Sequence, residues 1–188
     1  FLAYTAAADT LDYSAAGYDD FDIEHASDNF RGTLFSKTLD KGVTPDVMDY
    51  YTLKGNEPQV KVSVFKEYDM KTGEIVYDKY DSLYFREYLD VKDKYSSFLG
   101  QNSPLVTVEN PEAKTDKSLL IIKDSYAHSL VPFLSKEYKN VTMIDLRYIN
   151  TDFRVMAPLK DYDQMLFVYN VITFSEDESN LLKLNMCK

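Results

Sequence analysis

The sequence predicts an α/β domain of three layers, with a mostly parallel sheet between helices. Three apolar runs predict it. Leu119-Leu120-Ile121-Ile122 is a continuous run closed by Lys123-Asp124-Ser125, and two more follow at Val141 to Leu146 and Gln164 to Asn170. A helical stretch from about Tyr126 to Tyr138 separates the first two, and a polar, Pro-containing connection separates the last two. Unbroken apolar strands suit a sheet covered on both faces. Their alternation with helical segments implies parallel pairing through right-handed crossovers.

The remaining elements follow in chain order. Leu2, Ala6 and Leu11 suit a short helix ending at Gly17. Residues 19–55 read as irregular and acidic, punctuated by Gly32, Gly42 and Pro45, with Asp46 to Leu53 compatible with one or two helical turns. Val60, Val62 and Val64 alternate with Lys61, Ser63 and Lys66, the period of a half-buried strand. Lys71-Thr72-Gly73 supplies turn chemistry, and Glu74 to Tyr77 resumes an extended run. Together they predict a β-hairpin over about 59–78, within a segment, 56–92, that reads as an insertion. Ser82 to Val91 suits a strand or a helix equally. Pro132 cannot sit in a helix interior without cost. Either the helix starts near Ser129, with Pro132 in its first turn, or it kinks there. The whole chain, 1–188, reads as a single domain.

Composition excludes several functions. The 188 residues hold 21 Lys and Arg against 31 Asp and Glu, a formal net charge of −10. Such a chain lacks the basic face that nucleic acid or anionic lipid requires. No apolar run approaches the roughly 20 residues of a membrane span, and none has the pattern of a signal peptide, so no membrane insertion by this chain is expected. The single cysteine, Cys187, leaves no internal disulfide and no cysteine-rich zinc site. Two distant histidines, His25 and His128, make no metal pattern, and the glycines form no phosphate loop. No cofactor is expected. Sixteen tyrosines suit packing and β-structure, and equally carbohydrate or protein contacts.

The sharpest local feature is Lys123-Asp124-Ser125-Tyr126-Ala127-His128. A serine directly after a buried strand stands at the carboxyl end of the sheet, where open α/β sheets bind ligands. The N-terminus of the following helix offers free backbone N–H groups and a partial positive charge that help stabilise an oxyanion. Ser125 is thus a candidate nucleophile, while Asp124 or Ser125 as a simple helix cap is the competing reading. A serine nucleophile needs a base, normally a histidine held by a carboxylate. His128, three residues along the same element, is poorly placed for that and suits packing. His25, in an acidic stretch, suits a solvated loop. Gly100 and Asn102 are candidate oxyanion donors, or a turn. Arg147, after the second apolar run, is a candidate anion clamp or a partner of Asp145. Asn170, closing the third run, is a candidate for the same edge or a strand terminator.

Read together, these segments resemble the DHHW family of bacterial proteins, relatives of the SGNH hydrolases. The matching pieces are Phe30-Arg31-Gly32-Thr33-Leu34-Phe35-Ser36-Lys37, Asp93-Lys94-Tyr95 with Phe98 to Asn102, and Leu120 to Ala127 with Pro132-Phe133-Leu134. Ile144 to Tyr148 and Leu166 to Asn170 complete the set, in family order. The resemblance implies an SGNH-like (flavodoxin-like) fold. It also implies kinship with proteins that O-acetylate exopolysaccharides such as alginate, with Ser125 as nucleophile and an Asp-x-His motif earlier in the chain as base and orienter. The substrate it implies is a glycan or an acylated small molecule, met outside the bacterial cytoplasm. The Asp-His-His-Trp signature is not in this sequence, which has no Trp. Either the chain is the C-terminal portion of a longer protein, or it is a divergent copy that lost the motif. A catalytically inactive SGNH-like module that binds glycan or protein is the alternative.

Overall fold

The computed structural model describes residues 2–32, 35, 42–54, 59–69, 71–176 and 180–186. Helix α1 (Leu2–Leu11) buries Tyr4, Ala7, Ala8 and Leu11. It stops well before Gly17 because Asp12 turns left-handed, at φ 55°, and the Tyr13 N–H bonds back to the Ala8 carbonyl at 3.1 Å. That is a helix-ending motif that asparagine or aspartate can adopt in place of glycine.

Two parts of the acidic stretch are regular. Strands β1 (Phe21–Phe30) and β2 (Asp46–Leu53) pair antiparallel as a two-stranded sheet, with register shifts after His25 and Ser27. The helical turns expected over Asp46 to Leu53 are therefore a strand. Val47, Tyr50, Tyr51 and Thr52 are residues that fit a pleated surface. The bulges in β1 and its mostly exposed pattern erase the alternation by which a strand is read.

The second sheet has six strands: β3 (Lys61–Asp69), β4 (Glu74–Tyr80), β5 (Leu105–Glu109), β6 (Thr115–Lys123), β7 (Tyr138–Ile144) and β8 (Gln164–Val168). Their order is β4-β3-β5-β7-β6-β8. Only β7-β6 and β6-β8 are parallel; the other pairs are antiparallel. The sheet is mixed, which corrects the mostly parallel expectation. The β3–β4 hairpin forms where the turn chemistry placed it, and it extends the main sheet through β5 rather than standing apart.

Both faces of the central strands are covered. Leu119 and Ile121 join one core with Val106, Val141 and Met143, while Leu120 and Ile122 join another with Leu105, Ile144 and Phe153. Strand period two sends successive side chains to opposite cores, so the run is apolar throughout. The β6-to-β7 crossover is shorter in helix than expected. It is a 3₁₀ segment, Ser125–Leu130, then one turn of α2 (Val131–Leu134) with Pro132 in that first turn. The β7-to-β8 connection is three 3₁₀ turns, two of them capped by Asp145 and Asp152. Helix α3 (Val171–Ser175) follows β8, and a 3₁₀ segment, Leu181–Met186, comes after it. No helix among the described residues is long and apolar enough to cross a membrane.

Candidate functional site

Strand β6 delivers Lys123, Asp124 and Ser125 to the carboxyl end of the sheet. Asp124 is fully buried there, and its carboxylate fixes the next segment. Oδ1 accepts the Tyr126 N–H at 2.9 Å, and Oδ2 accepts the Asn170 N–H at 2.8 Å together with the Asn170 amide. Ser125 is left half-buried, and its hydroxyl makes no hydrogen bond to the described residues. It opens into a cleft of about 570 Å³.

That cleft unites three of the five candidates: Ser125, Gly100 and Asn102. Phe30, Tyr95 and Tyr126 give it aromatic walls, and Arg31 and Lys92 bring cations. Gly100 follows Leu99, and both are left-handed, at φ 83° and 61°. For a glycine this is easy; for a buried leucine it is strained. The Gly100 N–H is already donated to the Ser96 carbonyl at 2.9 Å, so it is not free for an oxyanion. Asn102 is exposed on the cleft with its amide free among the described residues.

The other two candidates are engaged elsewhere. Arg147 grips Asp145, its Nε donating to Oδ1 at 2.9 Å and its Nη2 to Oδ2 at 2.6 Å. It does not line the cleft, so the anion-clamp expectation gives way to the pairing with Asp145. Asn170 caps α3, accepting the Thr173 N–H at 3.0 Å, and braces Asp124 from behind. It supports Ser125 at one remove and does not line the cleft.

Neither histidine is free to act as base. His128 is buried, and both ring nitrogens are taken: Nδ1 faces the Phe98 carbonyl at 2.9 Å and Nε2 faces Lys123 Nζ at 2.8 Å. A carbonyl only accepts, so Nδ1 carries the proton and Nε2 accepts from the lysine. Burial, then the neighbouring Lys123 charge, lowers the His128 pKa to about 3. His25 lies on β1 rather than in a loop, half exposed, between Asp49 at 3.0 Å and Asp28 at 2.8 Å, which raise its pKa.

Sequence reasoning missed Lys123. Its side chain is fully buried, 3.5 Å from the equally buried Asp145. Burial lowers its pKa to about 8, partly offset by Asp145. An aliphatic side chain here would gain about 1.5–3 kcal/mol by burial, whereas a buried ion costs several kcal/mol before its partner is counted. The only available signal was a lysine closing the apolar run Leu119 to Ile122. Among the described residues no group of three or more His, Cys, Asp or Glu is placed to hold a metal ion.

Comparison with known proteins places this geometry. The family described as DHHW protein matches residues 1–144. A solved DHHW family protein from Eubacterium siraeum superimposes with a TM-score of 0.74 at 19% identity, over 97% of this chain and 58% of that one. Bacillus cereus PatB1 superimposes with a TM-score of 0.65 at 21% identity, over 94% of this chain and 60% of that one. A second PatB1 structure, with a sulfonyl adduct, gives 0.64 at 21% identity, over 94% and 58%. The chain thus spans about three-fifths of the length of these structures, and at these identities the likeness is one of fold. No curated protein gives a significant match. With three-quarters of its length matched, the chain belongs to the DHHW family.

Proposed function

We propose that this domain is SGNH-like and supports acyl-ester chemistry on a glycan met outside the bacterial cytoplasm, as an esterase or O-acetyltransferase, with Ser125 as nucleophile. The observation that carries the reading is Ser125 itself: a hydroxyl at the carboxyl end of β6 with no hydrogen-bond partner among the described residues, beside a buried Asp124 and opening into the cleft. Ser125 Oγ attacks the acyl carbonyl and loses its proton to a base. Asn102, exposed on the cleft with its amide free among the described residues, is the side chain we assign as donor to the oxyanion. Collapse breaks the ester C–O bond, and the departing alcohol takes the proton from the base. The acyl group then passes from Ser125 to water or to a sugar hydroxyl. Because His128 and His25 are both engaged, the base comes from outside the described residues. Fold kinship with Bacillus cereus PatB1, a structure of which carries a sulfonyl adduct, supports the reading. The aromatic walls fit sugar faces as well as acyl chains.

The test is p-nitrophenyl acetate hydrolysis by the protein at its natural length. Ser125→Ala is expected to abolish turnover and leave the unfolding midpoint nearly unchanged. Turnover equal to wild type in that variant removes Ser125 from the mechanism. A second reading, a glycan-binding module without catalysis, is favoured by the engagement of both histidines. Two folded proteins that bind glycan and turn over no ester would establish it.

A further inference from the structure

The wall of the cleft that carries Gly100 and Asn102 holds two successive left-handed residues, one of them the fully buried Leu99. A leucine does not keep that conformation unaided. Its backbone is tied at three places. The Leu99 N–H reaches the Leu83 carbonyl at 3.2 Å, the Gly100 N–H reaches the Ser96 carbonyl at 2.9 Å, and the Phe98 carbonyl accepts from His128 at 2.9 Å. The last tie is held in turn by Lys123 on the other ring nitrogen, and Lys123 lies 3.5 Å from Asp145 Oδ2, the oxygen that Arg147 Nη2 also grips. The relay thus joins the ends of β6 and β7 to the cleft wall. Fold stability gives no reason to place an ammonium there, because a well-packed apolar side chain serves a core better than a buried ion.

We infer that Lys123 and His128 are a positioning couple: Lys123 fixes His128 as the Nδ1–H tautomer, and His128 clamps the Phe98 carbonyl, holding the Leu99-Gly100-Asn102 wall in place beside Ser125. Lys123 does not line the cleft; His128 does, but both its ring nitrogens are taken by Phe98 and Lys123, so the couple acts through the wall. The inference builds on the reading of Ser125 as nucleophile, but its first two readouts do not depend on that reading.

The experiment uses the protein at its natural length with ¹⁵N-labelled histidine. Ring NMR is expected to show His128 neutral, protonated on Nδ1, and not titrating between about pH 5 and about pH 8, the range of an ordinary histidine. In Lys123→Met and His128→Leu, amide exchange at Leu99 and Gly100 is expected to quicken by about tenfold or more, while Ile121 and Met143 keep their protection and so report an intact sheet. Where wild type turns over ester, Lys123→Met is expected to lose about tenfold in kcat with KM nearly unchanged, as a misplaced wall would cause. A His128 protonated on Nε2, or titrating near its ordinary value, overturns the proposal. So does Leu99 and Gly100 exchange equal to wild type in folded variants. Should the variants unfold, the wild-type ring spectrum alone decides. Absence of any ester turnover counts against Ser125, and the ring and exchange data still judge the couple.

Discussion

Gly100 sits at φ 83°, and a Cβ there would stand 3.2 Å from Phe85 Cε2. Gly100→Ala is therefore expected to cost about 1–3 kcal/mol, from the left-handed backbone and the displaced ring. Asn170 truncated to alanine loses the helix cap and its side-chain amide bond to Asp124 while keeping the backbone N–H bond, so Asn170→Ala is expected to cost about 1–2 kcal/mol. Urea unfolding of each variant checks both values. At this scale the sequence singled out Ser125, Gly100 and Asn102, which the fold brings to one cleft, because strand ends and Gly-x-Asn turns leave local traces. It misplaced Arg147 and Asn170 and hid Lys123, because what those side chains face is set by contacts distant in the chain. Asn170 meets Asp124 across 46 positions.

The elements were legible where burial is uniform and obscure where it is not. β6 was read correctly because Leu119 to Ile122 are fully buried on both faces. β8 is equally apolar in sequence, yet it lies at the sheet edge with Phe167 52% exposed. Ile121→Ala is thus expected to cost about 2–5 kcal/mol, and Phe167→Lys to fall within about 0.5 kcal/mol. Chemical denaturation of the two variants separates them, and similar losses would contradict this burial pattern. β1 and β2 escaped notice because bulges and exposed positions remove the period-two signal, and β5 is only five residues long. The helix expected after Ser125 is shorter because the segment starts as a 3₁₀ stretch capped by Asp124, and Pro132 opens only one α-helical turn, Val131–Leu134.

At the scale of the molecule, the buried relay makes a prediction about acid. An unfolded chain protonates histidine near its ordinary value of about 6.5, whereas folded His128 resists until about 3. Between those values the unfolded state binds the extra proton, so stability falls as pH drops, by up to about 1.4 kcal/mol per pH unit. His25 acts in the opposite sense. Its pKa is raised by Asp49 and then Asp28, so its contribution is present at low pH and fades as pH rises. Urea midpoints for wild type and His128→Gln across the acid range test this. The variant is expected to show the shallower slope, and equal slopes would remove His128 from the acid response.

The central claim is that Ser125 carries the acyl group. It is tested most directly by quenching the natural-length protein during p-nitrophenyl acetate turnover and mapping the label by peptide mass spectrometry. A single acetyl group on the peptide containing Ser125, absent from Ser125→Ala, is the predicted result. Ester turnover with the acetyl group on another residue, or with no acyl-protein at all, would contradict the account.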